Sequence, residues 1–183
     1  MPGGIPAEVV AVFGSSQTQP DEPEYVEAML CGRLLAEAGF HVATGGYAGL
    51  MEAVSRGAAN AGGTVIGATA PDLFPMRSGA NEWVHIESPQ PTLSLRIGQL
   101  VDKSVATISL PGSIGTLTEL MVAWNAAHVE MLCDRPPRPV ITVGDAWTGL
   151  VASIATEVSA VAELITHAST VDEAVATVVA LKQ

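Results

Sequence analysis

The feature that most restricts the fold is a regular alternation between short β-branched runs and longer amphipathic segments. The short runs predict strands at Glu8–Phe13, His41–Thr44, Thr64–Ala68, Trp83–Ile86, Val105–Leu110, Pro139–Val143 and Leu164–Thr166, the last of which could equally be helical. The longer segments predict helices at Glu22–Ala38, Leu50–Ala61, Thr92–Lys103, Gly115–His128, Ala146–Val158 and Val171–Lys182. Such alternation is typical of repeated βαβ units around a mostly parallel sheet.

We therefore expect an α/β fold, a Rossmann-like three-layer sandwich with a mostly parallel sheet flanked by helices. The 183 residues fit one domain, 1–183, with a continuous core. Cys31 and Cys133 are far apart and belong to no metal-binding motif, which predicts two buried thiols in a reducing compartment. The sequence shows no leader pattern and no long apolar span, so we expect a cytoplasmic protein without a membrane partner.

The charge balance argues against a nucleic-acid polymer as partner. The net charge is −11, with only eight Lys and Arg residues, whereas backbone binding to nucleic acid rests on clustered cations. A small anionic ligand remains compatible with this charge, because backbone N–H groups at helix N-termini attract anions without basic side chains.

Three glycine-containing turns follow predicted strands and precede predicted helices. In a parallel sheet they would meet at one edge, where ligands of such folds bind. A single turn of this kind can be only a tight connection, but three together favour phosphate binding. The candidate phosphate- or nucleotide-binding residues in these turns are Gly14, Ser15, Gly45, Gly46, Gly49, Gly112, Ser113, Ile114, Gly115 and Thr116.

Two common nucleotide motifs are absent from these turns. No turn ends in Gly-Lys-Ser/Thr, and none spells Gly-x-Gly-x-x-Gly with an acidic residue about twenty positions later. Nucleoside triphosphatase and ordinary dehydrogenase activities are therefore not expected.

The third turn and its surroundings resemble a known family. Pro111–Glu119 is similar to the Pro-Gly-Gly-x-Gly-Thr-x-x-Glu signature of the LONELY GUY proteins, which are cytokinin riboside 5′-monophosphate phosphoribohydrolases once labelled possible lysine decarboxylases. Arg96 lies fifteen residues before Pro111, as the family's functional arginine does, and Thr44–Glu52 resembles its second glycine turn. Gly14-Ser15-Ser16 matches the first turn, so the resemblance covers nearly the whole chain.

The resemblance implies catalytic roles for Arg96 and Glu119. A carboxylate near the sugar stabilises the positive charge that develops during glycosidic cleavage. We place Glu119 in the first turn of its helix, outside an apolar stripe of Leu117, Leu120, Met121 and Trp124, and expect the helix dipole to favour its ionised form as a base. The plainer alternatives are a solvated Glu119 and an Arg96 that forms a surface ion pair with Asp102 or Glu119.

Other residues near the turns allow two interpretations each. Glu52 is either a second carboxylate near the sugar or a solvent-facing side chain. Tyr47 either stacks on a base or fills its turn. Arg77 could reach a phosphate, but an exposed loop arginine is the simpler interpretation. The four histidines show no metal-ligand spacing, so no metal and no cofactor are predicted.

Lysine positions and departures from the family pattern bear on activity. The two lysines, Lys103 and Lys182, lie away from the glycine turns, which argues against a pyridoxal-dependent decarboxylase. Ser113 replaces the second glycine of the signature, and Ile97 replaces a lysine that follows the arginine.

Two functions stay open at this point. The first is hydrolysis of a purine nucleoside 5′-monophosphate, AMP or a cytokinin-type relative, to free base and ribose 5-phosphate. The second is a non-hydrolytic carrier of a nucleotide or molybdenum cofactor with the same fold. The resemblance also implies a homodimer.

Overall fold

The computed structural model describes residues 8–76 and 79–182. Its centre is a sheet of seven parallel strands in the order β4-β3-β2-β1-β5-β6-β7. The strands are β1 (Val9–Phe13), β2 (His41–Thr44), β3 (Val65–Gly67), β4 (Ile86–Glu87), β5 (Ala106–Ser109), β6 (Val140–Val143) and β7 (Ile165–Ala168). The chain leaves β1 towards one edge of the sheet and resumes at β5 on the other side of β1, so the strand order reverses between β1 and β5.

Six α-helices in the described residues cover both faces of the sheet. They are α1 (Pro23–Glu37), α2 (Leu50–Asn60), α3 (Leu93–Asp102), α4 (Ile114–Leu132), α5 (Thr148–Val158) and α6 (Val171–Val179). Helices α1, α2 and α6 pack on one face and α3, α4 and α5 on the other, which gives two apolar cores separated by the sheet. Val10 and Val12 of β1 point into the first core, whereas Val9, Ala11 and Phe13 point into the second, as a strand covered on both faces requires. The expected Rossmann-like three-layer sandwich is confirmed.

Most element bounds agree with the sequence prediction to within two residues, and three elements differ more. Strand β4 begins at Ile86 rather than Trp83, because Asn81 and Val84 form a turn there and ladder pairing starts only when the His85 N–H donates to Val65. Helix α4 runs on to Leu132, because no Gly or Pro interrupts it until after that point. Helix α6 ends at Val179 and continues as a short 3-10 turn.

The prediction for the cysteines is half wrong. Cys31 is fully buried between α1 and the sheet, whereas Cys133 is exposed where α4 ends. Within the described residues, no helix is long and apolar enough to cross a membrane.

The close packing of α1 on α2 generates a stability prediction. A Cβ on Gly57 would collide with the carbonyl group of Met29 in α1, which is backbone and cannot turn away. The substitution Gly57→Ala is therefore expected to lower the free energy of unfolding by about 1 to 3 kcal/mol, measured by urea denaturation. Gly149→Ala on the exposed side of α5 is the matched control, since a Cβ there meets nothing; helix propensity alone should raise its stability by up to about 1 kcal/mol. Equal effects of the two substitutions would contradict this packing argument.

Candidate functional site

The three glycine turns meet at the carboxyl edge of the sheet, as the sequence predicted. The turns after β1 and β5 flank the point where the strand order reverses, which is where ligands bind in open α/β sheets. The Ser15 N–H donates to the Pro111 carbonyl at 3.2 Å, and the Leu50 N–H donates to the Ser15 carbonyl at 2.8 Å. The first turn is thus hydrogen-bonded to the other two.

The turns differ in which backbone N–H groups they leave for a ligand. In the first two turns, Ser15 and Leu50 use their N–H groups between the turns, and the Gly46 N–H donates to Thr44 Oγ1 at 3.1 Å. The third turn opens α4, whose N-cap residue Ser113 makes no side-chain cap. The first N–H groups of a helix have no intrahelical acceptor, so the start of α4 is where this edge presents backbone donors.

The glycines of the second turn are explained by packing. A Cβ on Gly45 would overlap the guanidinium of Arg96, and one on Gly49, which has φ +73°, would collide with the Ser15 carbonyl. Gly115 is different, because a Cβ there would meet nothing. The glycines of the second turn therefore let Arg96 and the first turn approach closely.

A cleft of about 220 Å³ lies beside the start of α4. We call it the switch-point cleft. Its lining residues come from the first turn, from the starts of α2, α3 and α4, and from the loop between β3 and β4: Gly14, Ser16, Met51, Phe74, Leu93, Arg96, Ile97, Ser113, Gly115, Thr116, Thr118 and Glu119.

Arg96 is buried at the base of this cleft, with 6% of its surface exposed. Its Nε donates to the Ala68 carbonyl at 2.8 Å, and its Nη2 donates to the Gly45 carbonyl at 3.3 Å. Its Nη1 donates to Glu119 Oε1 at 3.2 Å. Arg96 therefore ties the second glycine turn, the chain after β3 and helix α4 together, and the ion pair with Glu119 is buried rather than at the surface.

The structure corrects the predicted setting of Glu119. Helix α4 begins at Ile114, so Glu119 lies in the second turn, beyond the reach of a first-turn dipole effect. It belongs to the inward face of α4 with Thr116 and Leu120, and only 8% of it is exposed. Burial raises the pKa of the Glu119 carboxyl above its usual value, and the Arg96 guanidinium acts in the opposite direction. The ionised form of Glu119 therefore depends on Arg96 rather than on the helix.

The neighbouring apolar stripe also differs from the prediction. Leu117 and Met121 of α4 are only partly buried, so the inward face is centred on Leu120 and Trp124. Leu93 lies at the first position of α3 and lines the cleft, with 46% of its surface exposed.

Not every predicted site residue lines the switch-point cleft. Ser15 and Gly112 line a separate hollow, together with Glu22, Glu24 and Ser113. Ile114 points away from the fold, with 76% of its surface exposed.

Glu52 lines another hollow, of about 360 Å³, which we call the Glu52 hollow. Its Oε1 accepts a hydrogen bond from the Tyr25 hydroxyl at 3.0 Å. Burial and then the neighbouring Glu52 raise the pKa of Tyr25, so the hydroxyl keeps its proton and donates it to this bond. Glu52 is thus half-buried and held in place, which neither sequence interpretation described.

Tyr47 fills its turn, the second of the two interpretations. It is 4% exposed, and its hydroxyl accepts the Ala70 N–H at 2.7 Å. Its ring centroid lies 5.7 Å from that of Phe74 and 5.8 Å from the guanidinium carbon of Arg96. Arg77 lies outside the described residues.

Six residues that line the cleft were not among the predicted site residues: Ser16, Met51, Phe74, Leu93, Ile97 and Thr118. Thr118 could have been found from its position in the sequence, because it directly precedes Glu119 and lies close to the glycine turn that opens α4. Phe74 lies in the irregular segment between β3 and β4, and no sequence pattern indicated which residue of that segment would reach the cleft.

Three of the four histidines make hydrogen bonds beside the strands. His41 Nδ1 and His85 Nδ1 accept backbone N–H groups, and His167 bonds Thr142 at 2.6 Å. The part of the chain that the structure describes holds no group of three metal-ligating side chains.

The fold and the cleft define a class of protein: a Rossmann-like α/β protein with a candidate site at the switch point of its sheet. The chain belongs to the SLOG cluster4 family, since the model for that family, described as LDcluster4, matches residues 7–175. This confirms at family level the resemblance to the LONELY GUY proteins.

Two relatives carry names that indicate an activity. A probable cytokinin riboside 5′-monophosphate phosphoribohydrolase of Oryza sativa is 32% identical over 66% of this chain and 50% of its own length. A cytokinin riboside 5′-monophosphate phosphoribohydrolase of Mycobacterium marinum is 32% identical over 67% of this chain and 65% of its own length. The chain thus spans about half to two thirds of these relatives.

Solved structures with the same fold include proteins of another function. The molybdenum cofactor binding protein of Rippkaea orientalis has a TM-score of 0.77 at 22% identity, with 98% of this chain and 100% of that chain covered. The molybdenum cofactor carrier protein of Chlamydomonas reinhardtii has a TM-score of 0.73 at 24% identity, with 96% and 98% covered. At these identities the likeness shows the fold.

The buried ion pair generates a pH-dependent prediction. Arg96→Met leaves Glu119 buried without its partner and is expected to lower the free energy of unfolding by about 3 to 5 kcal/mol at pH 8. Burial then keeps the folded-state pKa of Glu119 above the unfolded one, so this loss should shrink as pH falls towards 5 and the carboxyl takes up a proton. Urea denaturation at the two pH values measures both effects.

The double variant Arg96→Met with Glu119→Gln is the control. It removes the buried charge along with its partner, so its stability should recover at pH 8 and depend less on pH than that of the single variant. A single variant with the same stability at both pH values would contradict the assignment.

Proposed function

We propose that this chain is a phosphoribohydrolase, which cleaves the N-glycosidic bond of a purine nucleoside 5′-monophosphate, AMP or a cytokinin-type relative, to give free base and ribose 5-phosphate. The observation that carries this proposal is the buried Arg96–Glu119 pair in the switch-point cleft, next to the uncapped start of α4. The names of the rice and mycobacterial relatives support the same activity.

The phosphate would bind at the start of α4. The N–H groups of Ile114, Gly115 and Thr116 have no intrahelical acceptors, and the open space at Gly115 lets a phosphate approach the backbone. The Thr116 hydroxyl and Ser113 line the same end of the cleft and add hydrogen-bonding groups. Arg96 is bonded to Glu119 and to two carbonyl groups, so we assign it to the sugar end of the cleft and not to the phosphate.

Glu119 would act at the anomeric carbon of the ribose. As the C1′–N9 bond breaks, its electron pair leaves with the base and positive charge builds on the sugar, which a carboxylate stabilises. A water molecule then adds to C1′ and gives a proton to Glu119, the departing base takes up a proton from solvent, and Glu119 returns its proton to solvent. Arg96 contributes by keeping Glu119 ionised in a buried position, where its charge acts strongly on the transition state.

Four side chains of the cleft lining are apolar. They are Met51, Phe74, Leu93 and Ile97, and they offer flat contact surface to a planar base. Ile97 stands where the related family has lysine, so this group of side chains carries no charge. A base-bearing ligand with its phosphate on α4 matches this combination of polar and apolar groups.

Product analysis tests the proposal. Purified protein incubated with AMP or isopentenyl-AMP is expected to release free base and ribose 5-phosphate, resolved by chromatography. Glu119→Gln keeps the size of the side chain but removes its charge, so the rate should fall by a factor on the order of 10² to 10³.

Glu157→Gln is the matched control, because Glu157 lies on the exposed surface of α5, away from the cleft. Its rate should equal that of the unmodified chain. Base release that persists unchanged in Glu119→Gln would overturn the assignment of Glu119.

A second candidate is a non-hydrolytic carrier of a nucleotide or molybdenum cofactor. Ile97 favours it, since the residue that replaces the family's lysine lines the cleft itself and removes a cation. The named functions of the Rippkaea and Chlamydomonas proteins support it as well. A carrier should retain its ligand through purification, so native mass spectrometry is expected to show added mass that denaturation releases. An unloaded protein that turns over AMP would exclude this candidate.

A further inference from the structure

The switch-point cleft is too small for a complete nucleotide. Its volume of about 220 Å³ is below the roughly 300 to 1,000 Å³ of typical small-molecule pockets. On the proposed function, with phosphate at the start of α4, the remainder of the ligand must extend into a neighbouring hollow.

The Glu52 hollow is the neighbour that lies away from the phosphate end. The other neighbour is lined by Pro111, Gly112 and Ser113, so it belongs to the phosphate turn itself. None of the residues that line the Glu52 hollow comes from that turn. A ligand that leaves the cleft at the end opposite the phosphate therefore enters the Glu52 hollow.

Three features connect the cleft to the Glu52 hollow. Ser16 lines both. Met51 lines the cleft and the next residue, Glu52, lines the hollow. Phe74 of the cleft and Tyr47 of the hollow are in edge-to-face contact at 5.7 Å, so they form one continuous wall. A planar base that passes Phe74 into the Glu52 hollow enters the space that Glu52 lines.

One oxygen of the Glu52 carboxylate accepts a hydrogen bond within the fold. Tyr25 donates to Oε1 at 3.0 Å, and no described residue bonds Oε2. An ionised carboxylate only accepts hydrogen bonds, so the remaining oxygen selects an N–H donor and disfavours a carbonyl oxygen at the same place.

We propose that Glu52 is a specificity-determining residue, which accepts a hydrogen bond from the exocyclic amino group of a 6-aminopurine at the outer end of the ligand. This rests on the proposed function for the direction of the ligand. It distinguishes AMP, which carries an N–H at that position, from IMP, which carries an oxygen. An N6-monosubstituted base keeps one N–H and remains accepted.

The competing explanation is that Glu52 only pins α1 to α2 through Tyr25. Two variants separate these roles. Glu52→Gln keeps the oxygen that Tyr25 bonds but removes the charge and places an amide donor in the hollow. Tyr25→Phe removes the pinning bond but leaves the carboxylate in place.

The experiment compares three ligands: AMP, IMP and N6,N6-dimethyl-AMP, which has no N–H on the amino nitrogen. Where AMP is hydrolysed, kcat/KM is measured for each ligand; where it is not, Kd is measured for each by calorimetry. Failure of the proposed function thus appears as absent turnover, and failure of this inference appears as absent discrimination. The unmodified chain should favour AMP over both other ligands by about tenfold or more, the range expected when a hydrogen-bonding site meets a mismatched partner.

In Glu52→Gln the preference for AMP over IMP should vanish or invert, whereas Tyr25→Phe should keep the preference and lose only thermal stability. Equal values for all three ligands with the unmodified chain would overturn the inference even if a variant failed to fold. Full preference retained in Glu52→Gln would overturn it as well and leave Glu52 with a structural role.

Discussion

The buried guanidinium of Arg96 is the interaction on which the site depends. It bonds the carbonyl of Ala68 after β3, the carbonyl of Gly45 after β2 and the carboxylate of Glu119 in α4. The first two segments are already paired through the β2–β3 ladder, and Arg96 bonds them to α4 on the other side of the switch point. Because desolvating a charge is costly unless it is paired and hydrogen-bonded, each of these partners is required in its place.

The need to bury Arg96 explains neighbouring features of the sequence. Gly45 has no Cβ because the guanidinium occupies that space. Tyr47 packs its ring against Arg96 and anchors its own hydroxyl on the Ala70 N–H, so the loop after β3 is fixed around the arginine. Glycines that suggested a phosphate cradle thus also serve to close the backbone around a cation. The backbone N–H groups at the start of α4 are then the donors that face the cleft.

The sequence predicted the layers of the fold well because both faces of the sheet are covered. Strands such as β1 are then continuous apolar runs with clear ends, and α2 begins directly after a glycine. Edge strand β4 has no such constraint. The residues that precede it, from Trp83 on, were therefore predicted as part of the strand although they do not pair in the sheet. The proximity of Arg96 and Glu119 followed from a family pattern. The burial of these two residues could not be predicted in this way. A buried helix face that is inferred only from apolar residues leaves out a carboxylate that is buried with a partner.

The same limit applies to Glu52, whose partner Tyr25 lies on a different helix and twenty-seven residues earlier in the chain. A local sequence pattern cannot show such a contact. The contact nevertheless decides whether the Glu52 carboxylate is solvated or held in place. Because Arg96 and Glu119 neutralise each other, the cleft itself adds no net charge for recognition. Discrimination between ligands must then come from directional groups: the N–H donors of α4 at one end and, by our inference, the carboxylate of Glu52 at the other. Such groups reject a mismatched ligand more strongly than apolar walls do, because a buried polar group is left without its partner.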